Sequence, residues 1–167
     1  MIGRKAEQDE LMRMYESNES EFVAIYGRRR VGKTYLVRET FDGQFTFQHS
    51  GLAKGGMKRQ LANFAVSLKS FGLSGHGTPK NWDEAFVMLR EVIDASEFRR
   101  KVVFIDEMPW LDTPRSNFVS ALEGFWNGWA SARKDILLIV CGSAASWIAK
   151  KLFRNRGGLH NRVTCRI

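Results

Sequence analysis

The segment GRRRVGKT at positions 27–34, with its flanking residues, constrains this chain more than any other feature. The apolar run EFVAIY (21–26) precedes it and predicts a buried strand, while KTYLVRETF (33–41) predicts a helix. Glycines at 27 and 32 allow the backbone to turn sharply between the two elements. A strand, a short glycine-bounded loop and a helix in this order favour an α/β fold.

The remainder of the chain continues the alternation of strands and helices. Further strands are predicted at 44–50, 101–107, 135–143 and 162–167, and helices at 3–17, 57–72, 82–96, from Thr113-Pro114 onward and from Ser143 onward. This pattern predicts a three-layer α/β domain over residues 1–167 with a mostly parallel five-stranded sheet. Phe118, Leu122, Phe125, Trp126 and Trp129 recur at helical spacing, which favours core packing over a base-stacking surface.

Net charge, apolar runs and cysteine count indicate which cellular compartment and which kinds of partner the protein has. The net charge is +8, but six basic residues and no acidic ones follow Asp135, so the rest of the chain is nearly neutral. A basic end of this kind suits a phosphate-facing or partner-facing edge, or an ordinary solvated surface. No apolar run approaches the length of a membrane span, no secretory signal begins the chain, and there are two cysteines. We therefore expect a reduced, cytoplasmic protein without a membrane partner.

The loop at 27–34 matches the phosphate-binding pattern G-x-x-x-x-G-K-[ST] at every fixed position. Its backbone amides and the N-terminus of the next helix would surround a phosphate, Lys33 would bridge the β- and γ-phosphates, and Thr34 would hold Mg²⁺. The alternative is an ordinary basic entry into a helix. The strand before the loop and the helix after it favour the phosphate-binding interpretation.

A second candidate group follows the apolar strand VVFIDE (102–107). Asp106 is the expected partner of Mg²⁺, through water, and Glu107 is placed to polarise the attacking water as a general base. The alternative is that the acidic pair only caps the turn before Pro109. Ser143, after the strand at 135–143, is expected beside this pair if the two strands are neighbours, and would hold the lytic water, sense the γ-phosphate or simply cap a helix.

Taken together, IGR, YGRRRVGKT, VVFIDEMPWL, CGSAASW and GGLHNRVT resemble, in order and spacing, the archaeal ATPase family of prokaryotes, which is similar to the AAA+ and STAND branches of the P-loop NTPases. The resemblance implies that the Walker A strand lies between the fifth strand and the sensor strand, with the Walker B strand next. It implies ATP, rather than GTP, and Mg²⁺ as cofactors. The residues that it assigns are Gly27, Arg28, Arg29, Arg30, Val31, Gly32, Lys33 and Thr34 (Walker A, followed by Tyr35), Asp106 and Glu107 (Walker B), Ser143 (sensor 1), Gly3 and Arg4 (near adenine) and Arg162 (arginine finger or sensor).

The resemblance also implies a longer protein. Similar proteins continue into a helical or winged-helix lid, so the chain is expected to be an ATPase core that ends before its lid. Arginines at 28–30 would raise the positive potential of the loop toward a nucleotide or an acidic partner; alanine at each of them with unchanged affinity and self-association would overturn that idea.

Three functions stay open at this point. They are an Mg-ATP hydrolase that drives a conformational switch, a nucleotide-binding scaffold without hydrolysis, and a small-molecule kinase. Against the kinase, the strand FTFQHS (45–50) ends without an acidic substrate-binding pair. Self-association or a protein partner is compatible with the sequence, and direct nucleic-acid contact would require a steep loss of binding with added salt.

Overall fold

The computed structural model describes residues 4–27, 32–143, 145–153 and 165–166. Its elements are α1 (Lys5–Glu16), β1 (Glu21–Tyr26), α2 (Lys33–Thr40), β2 (Phe45–Ser50), α3 (Met57–Ser70), α4 (Trp82–Ala95), β3 (Lys101–Asp106), α5 (Phe118–Gly128), β4 (Ile136–Gly142), α6 (Ala145–Ile148) and β5 (Cys165–Arg166). Short 3₁₀ turns occupy Met108–Leu111 and Ala130–Ala132, and a π-helical turn occupies Ala149–Phe153.

The strands form one sheet in the order β2-β3-β4-β1-β5, and each recorded pairing is parallel. The strand that precedes the phosphate-loop pattern thus lies between β5 and β4, with β3 next, which is the expected order. The fifth strand is short: of the predicted range 162–167, the described part covers 165–166.

The sheet is buried on both faces, as a parallel sheet must be. Alternate residues of β1, β3 and β4 face a large cluster with α3, α4 and α5, and the intervening residues face a smaller cluster with α1 and α2. The three-layer α/β architecture is therefore confirmed. Four residues of the predicted aromatic stripe are in the larger cluster, and Trp129 packs against it half-buried.

The helix predicted to begin at Thr113-Pro114 begins instead at Phe118, so that prediction was wrong. Arg115 (φ 60°) and Asn117 (φ 57°) adopt left-handed conformations, which a right-handed helix cannot contain. The Ser116 hydroxyl accepts a hydrogen bond from the Phe118 N–H (3.3 Å). The helix starts where apolar burial starts, and this outweighs the local Thr-Pro signal.

Among the described residues, none of the helices is both long and apolar enough to cross a membrane.

His49 on β2 predicts a pH-dependent stability. The residue is 4% exposed, Nδ1 lies 2.7 Å from the Ser67 hydroxyl, and Nε2 has no hydrogen-bond partner. Burial lowers the pKa of His49 to about 4, whereas an unfolded histidine titrates near 6.5. Between these values the unfolded chain takes up a proton that the folded chain does not. Stability should therefore fall as the pH drops below about 6.5, by about 3 kcal/mol in total near pH 4.

Urea unfolding at pH 7 and pH 4.5 checks this prediction. A His49→Phe variant should lose that share of the pH dependence, while the same change at the surface residue His76, whose ring lies 2.7 Å from Glu91, should keep it. An equal pH dependence in His49→Phe and the unmodified chain would contradict the assignment.

Candidate functional site

The carboxyl ends of four strands bring the predicted site residues to one edge of the sheet. In the register, Tyr26 on β1 lies opposite Gly142 on β4, and Ser50 on β2 lies opposite Asp106 on β3. Because β3 also pairs with β4, with Ile105 opposite Val140, the residues that follow these strands, including Glu107 and Ser143, are neighbours, as a parallel sheet predicts.

The phosphate-loop pattern opens α2 as expected. Gly32 has φ +80°, a left-handed conformation that favours glycine, and its carbonyl accepts a hydrogen bond from the Leu36 N–H (2.9 Å). Lys33 is 8% exposed, and its ammonium donates to the Gly27 carbonyl at 3.3 Å. The lysine ammonium thus points toward the end of β1 rather than toward solvent. Arg28, Arg29, Arg30 and Val31 lie outside the described residues, so their roles stay predictions.

Thr34 and Asp106, which are 72 positions apart, are joined directly. The Thr34 hydroxyl donates to Oδ2 of Asp106, and Oδ1 accepts from the Glu107 N–H at 2.8 Å. Asp106 is 6% exposed. A hydroxyl and a carboxylate oxygen that converge beside the loop are the hard oxygen donors that Mg²⁺ prefers, so this donor pair fits a magnesium ion.

Glu107 lies at the wall of a cavity of about 500 Å³. Its backbone is left-handed (φ 51°, ψ 39°), an uncommon conformation for a residue other than glycine. The cavity has a volume typical of ligand pockets. It is lined by Gly32, Lys33, Thr34, Tyr35, Gly51, Ala53, Glu107, Trp110 and Ser143. A larger cavity of about 920 Å³ includes Phe45, at the start of β2, and contains none of the predicted site residues.

The remaining predicted residues divide into two groups. Arg4 lies beside the loop: its Nη2 is 3.7 Å from the position that a Cβ on Gly32 would take, and it pairs with Glu7 at 3.9 Å. Tyr35 and Ser143 line the cavity. Gly3 and Arg162 lie outside the described residues, and their roles also stay predictions.

Three cavity residues were missed in the sequence: Gly51, Ala53 and Trp110. The signal for the first two was available, because GLAKGG (51–56) follows β2 at the same edge of the sheet. Trp110 belongs to the 3₁₀ turn Met108–Leu111, whose bend back over the sheet has no comparable sequence signature.

Cys141, at the end of β4, is a free and fully buried thiol. Burial is the main cause that raises its pKa well above the usual range, and the nearby Asp106 carboxylate adds to this while Lys33 opposes it. The thiol therefore stays protonated beside the site and is a poor nucleophile.

The segments after β3 and β4 are tied to each other. Trp147 on α6 donates its indole N–H to Asp112 at 2.9 Å, and the Lys151 ammonium lies 3.6 Å from the same carboxylate. A displacement of the segment after Glu107 would therefore also displace the helix that follows Ser143.

No family model matches the chain. An uncharacterized protein of Methanocaldococcus jannaschii is 24% identical over 163 residues, which cover 98% of this chain and 34% of that protein. An uncharacterized ATP-binding protein of the same organism is 37% identical over 43 residues, which cover 26% of this chain and 73% of that protein. The chain thus spans about a third of the length of the first relative.

Solved structures share the fold. The Walker-type ATPase of Pyrococcus abyssi aligns with a TM-score of 0.66 at 17% identity, over 100% of this chain and 53% of that one. Cdc6p from Pyrobaculum aerophilum aligns with a TM-score of 0.63 at 15% identity, over 99% of this chain and 45% of that one. At these identities the likeness concerns the fold.

Proposed function

We propose that this chain, which has the fold of the Walker-type P-loop ATPases, is the core of an Mg²⁺-dependent ATPase. One observation carries the proposal: the hydroxyl of Thr34 donates a hydrogen bond to the carboxylate of Asp106, and Lys33, Thr34 and Glu107 line a single cavity. The short relative described as ATP-binding supports the choice of nucleotide.

Each residue has a distinct task in this proposal. Lys33 leaves the Gly27 carbonyl to bind the β- and γ-phosphates, and the N-terminus of α2 adds its positive field. Thr34 and Asp106 would hold Mg²⁺, which when bound neutralises charge that develops on the phosphate oxygens. Glu107 accepts the proton of a water whose oxygen bonds to the γ-phosphorus, while the bond from that phosphorus to the β-γ bridging oxygen breaks. The products are ADP and inorganic phosphate, and Ser143 orients the water from the next strand.

The link between Asp112 and Trp147 supports a conformational switch. Release of phosphate would alter the contacts of Glu107 and Ser143, and the connected segments after β3 and β4 would move together. A trans-acting Arg162 would make turnover depend on self-association, so specific activity should rise with protein concentration and lose that rise in Arg162→Ala.

Metal removal tests the proposal directly. Calorimetric titration of ATP should give tighter binding with Mg²⁺ than with EDTA, and phosphate release should require Mg²⁺. Asp106→Asn should reduce the gain in affinity that Mg²⁺ gives, because the amide is a weaker ligand than the carboxylate. Asp42→Asn, at an exposed position after α2, is the matched control. Absence of nucleotide binding to the folded chain, or equal binding with and without metal, would overturn the proposal.

A further inference from the structure

Gly51, the first residue after β2, lies against the peptide that follows Asp106. Its N–H donates to the Asp106 carbonyl at 3.0 Å. A Cβ added to Gly51 would lie 2.5 Å from the carbonyl oxygen of Glu107 and 3.3 Å from Cβ of Trp110. The first distance is far inside van der Waals contact, and the atom that it meets belongs to the backbone. Only glycine fits at position 51 with Glu107 where it is.

Gly142, the last residue of β4, meets the same segment from the other side. A Cβ there would lie 2.7 Å from Cδ and 2.9 Å from Cγ of Pro109. The pyrrolidine ring is rigid, so it cannot turn away as a flexible side chain would. A side chain at either glycine must therefore displace the segment 107–109.

The loop that carries Gly51 is itself held firmly. The buried side chain of Gln60 accepts from the Leu52 N–H (3.0 Å) and donates to the carbonyls of Leu52 (2.6 Å) and Gly55 (3.0 Å). Asn63, one turn along α3, donates to the Ser50 carbonyl at 3.1 Å. Because the loop is fixed at both ends, it cannot retreat easily to make room for a Cβ.

We propose that Gly51 and Gly142 are positioning residues for the carboxylate of Glu107. This inference rests on the proposed function. Glu107 is held in a left-handed conformation, and such a conformation persists only where the surroundings determine it. The two glycines supply these surroundings by allowing the backbone of β2 and β4 to close on the segment 107–109. Gly51 also lines the cavity, but both glycines act through Glu107, since neither has a side chain that could bind the nucleotide.

Alanine at either position should lower kcat by about 10- to 100-fold, because a shift of about 1 Å in a catalytic group costs that much. The Kd for Mg-ATP should stay within about twofold, since Lys33 and Thr34 keep their places. Gly56→Ala is the matched control for Gly51: it belongs to the same loop, has φ −73°, and its added Cβ would have no neighbour within 4 Å. Gly124→Ala on α5, equally uncrowded, is the control for Gly142.

Two further variants separate positioning from general damage to the fold. In Glu107→Gln, adding Gly51→Ala should cause no further loss of the residual hydrolysis, because both changes remove the same contribution. Pro109→Ala removes the ring atoms that crowd Gly142, so it should restore much of the kcat lost in Gly142→Ala. A full additional loss in the first case, or no recovery in the second, would overturn the inference.

The hydrolysis rate of the unmodified chain separates this inference from the function beneath it. No hydrolysis by that chain would overturn the ATPase proposal. The backbone amide resonance of Glu107 would then decide whether Gly51 and Gly142 hold the segment 107–109 in place, an arrangement that we call the clamp. That resonance should move in Gly51→Ala and Gly142→Ala and stay in Gly56→Ala; no movement would overturn the clamp. Normal hydrolysis with an unchanged kcat in folded Gly51→Ala would overturn the inference alone.

Discussion

Replacement of Lys33 by alanine is expected to remove measurable binding of Mg-ATP. Lys33 is almost fully buried and its ammonium donates to the Gly27 carbonyl, a bond that a phosphate oxygen would replace. Two charge-assisted hydrogen bonds to phosphate are worth about 1.5–3 kcal/mol each. Their loss should weaken binding by at least about 100-fold.

Calorimetric titration of Mg-ATP checks this result, with thermal unfolding to show that the variant is folded. Lys69→Ala, at an exposed lysine in the last turn of α3, removes the same charge far from the loop and should bind normally. Near-normal affinity in folded Lys33→Ala would refute the assignment of residues 27–34 as a phosphate loop, because Lys33 is the cation that the pattern requires at a fixed position.

Much of the site was predictable because it follows the ends of buried strands. EFVAIY at 21–26 matches β1 residue for residue, and the strand predicted over 101–107 differs from β3 by one residue, because β3 ends at Asp106. Continuous apolar runs of this length have few alternatives to a central parallel strand, and the rule that ligands bind beyond the carboxyl ends then selects Lys33, Glu107 and Ser143.

The clamp around Glu107 was not predictable from the sequence. It depends on how closely Gly51 approaches the Glu107 carbonyl and Gly142 approaches the Pro109 ring, and the two residues of each pair are far apart along the chain. A glycine that follows a strand suggests only a turn, because sequence does not show which atoms approach it. The prediction of where α5 begins was wrong for a related reason. Thr113-Pro114 is a local signal, whereas the burial of Phe118 depends on the tertiary core.

Replacement of Glu107 by glutamine is expected to stop hydrolysis while nucleotide binding persists. Glutamine has nearly the same size, so the left-handed turn should survive, together with the close approach of Gly51 to Glu107 and of Gly142 to Pro109. The amide cannot accept the proton of the attacking water, and loss of a general base costs about 100- to 10,000-fold in rate. The Kd for Mg-ATP should change little, since Lys33, Thr34 and Asp106 are untouched.

Single-turnover measurement of phosphate release separates this chemical step from product release. Glu39→Gln, at an exposed position on α2, makes the same chemical change outside the cavity and should turn over at the normal rate. Because Asp106 lies next in the chain, it is the obvious competitor for the role of base, but its Oδ2 accepts from Thr34 and its Oδ1 from the Glu107 N–H. Unchanged turnover in Glu107→Gln would therefore mean that Ser143 or the γ-phosphate itself activates the water. Glu107 would then have only a structural role in the turn after β3.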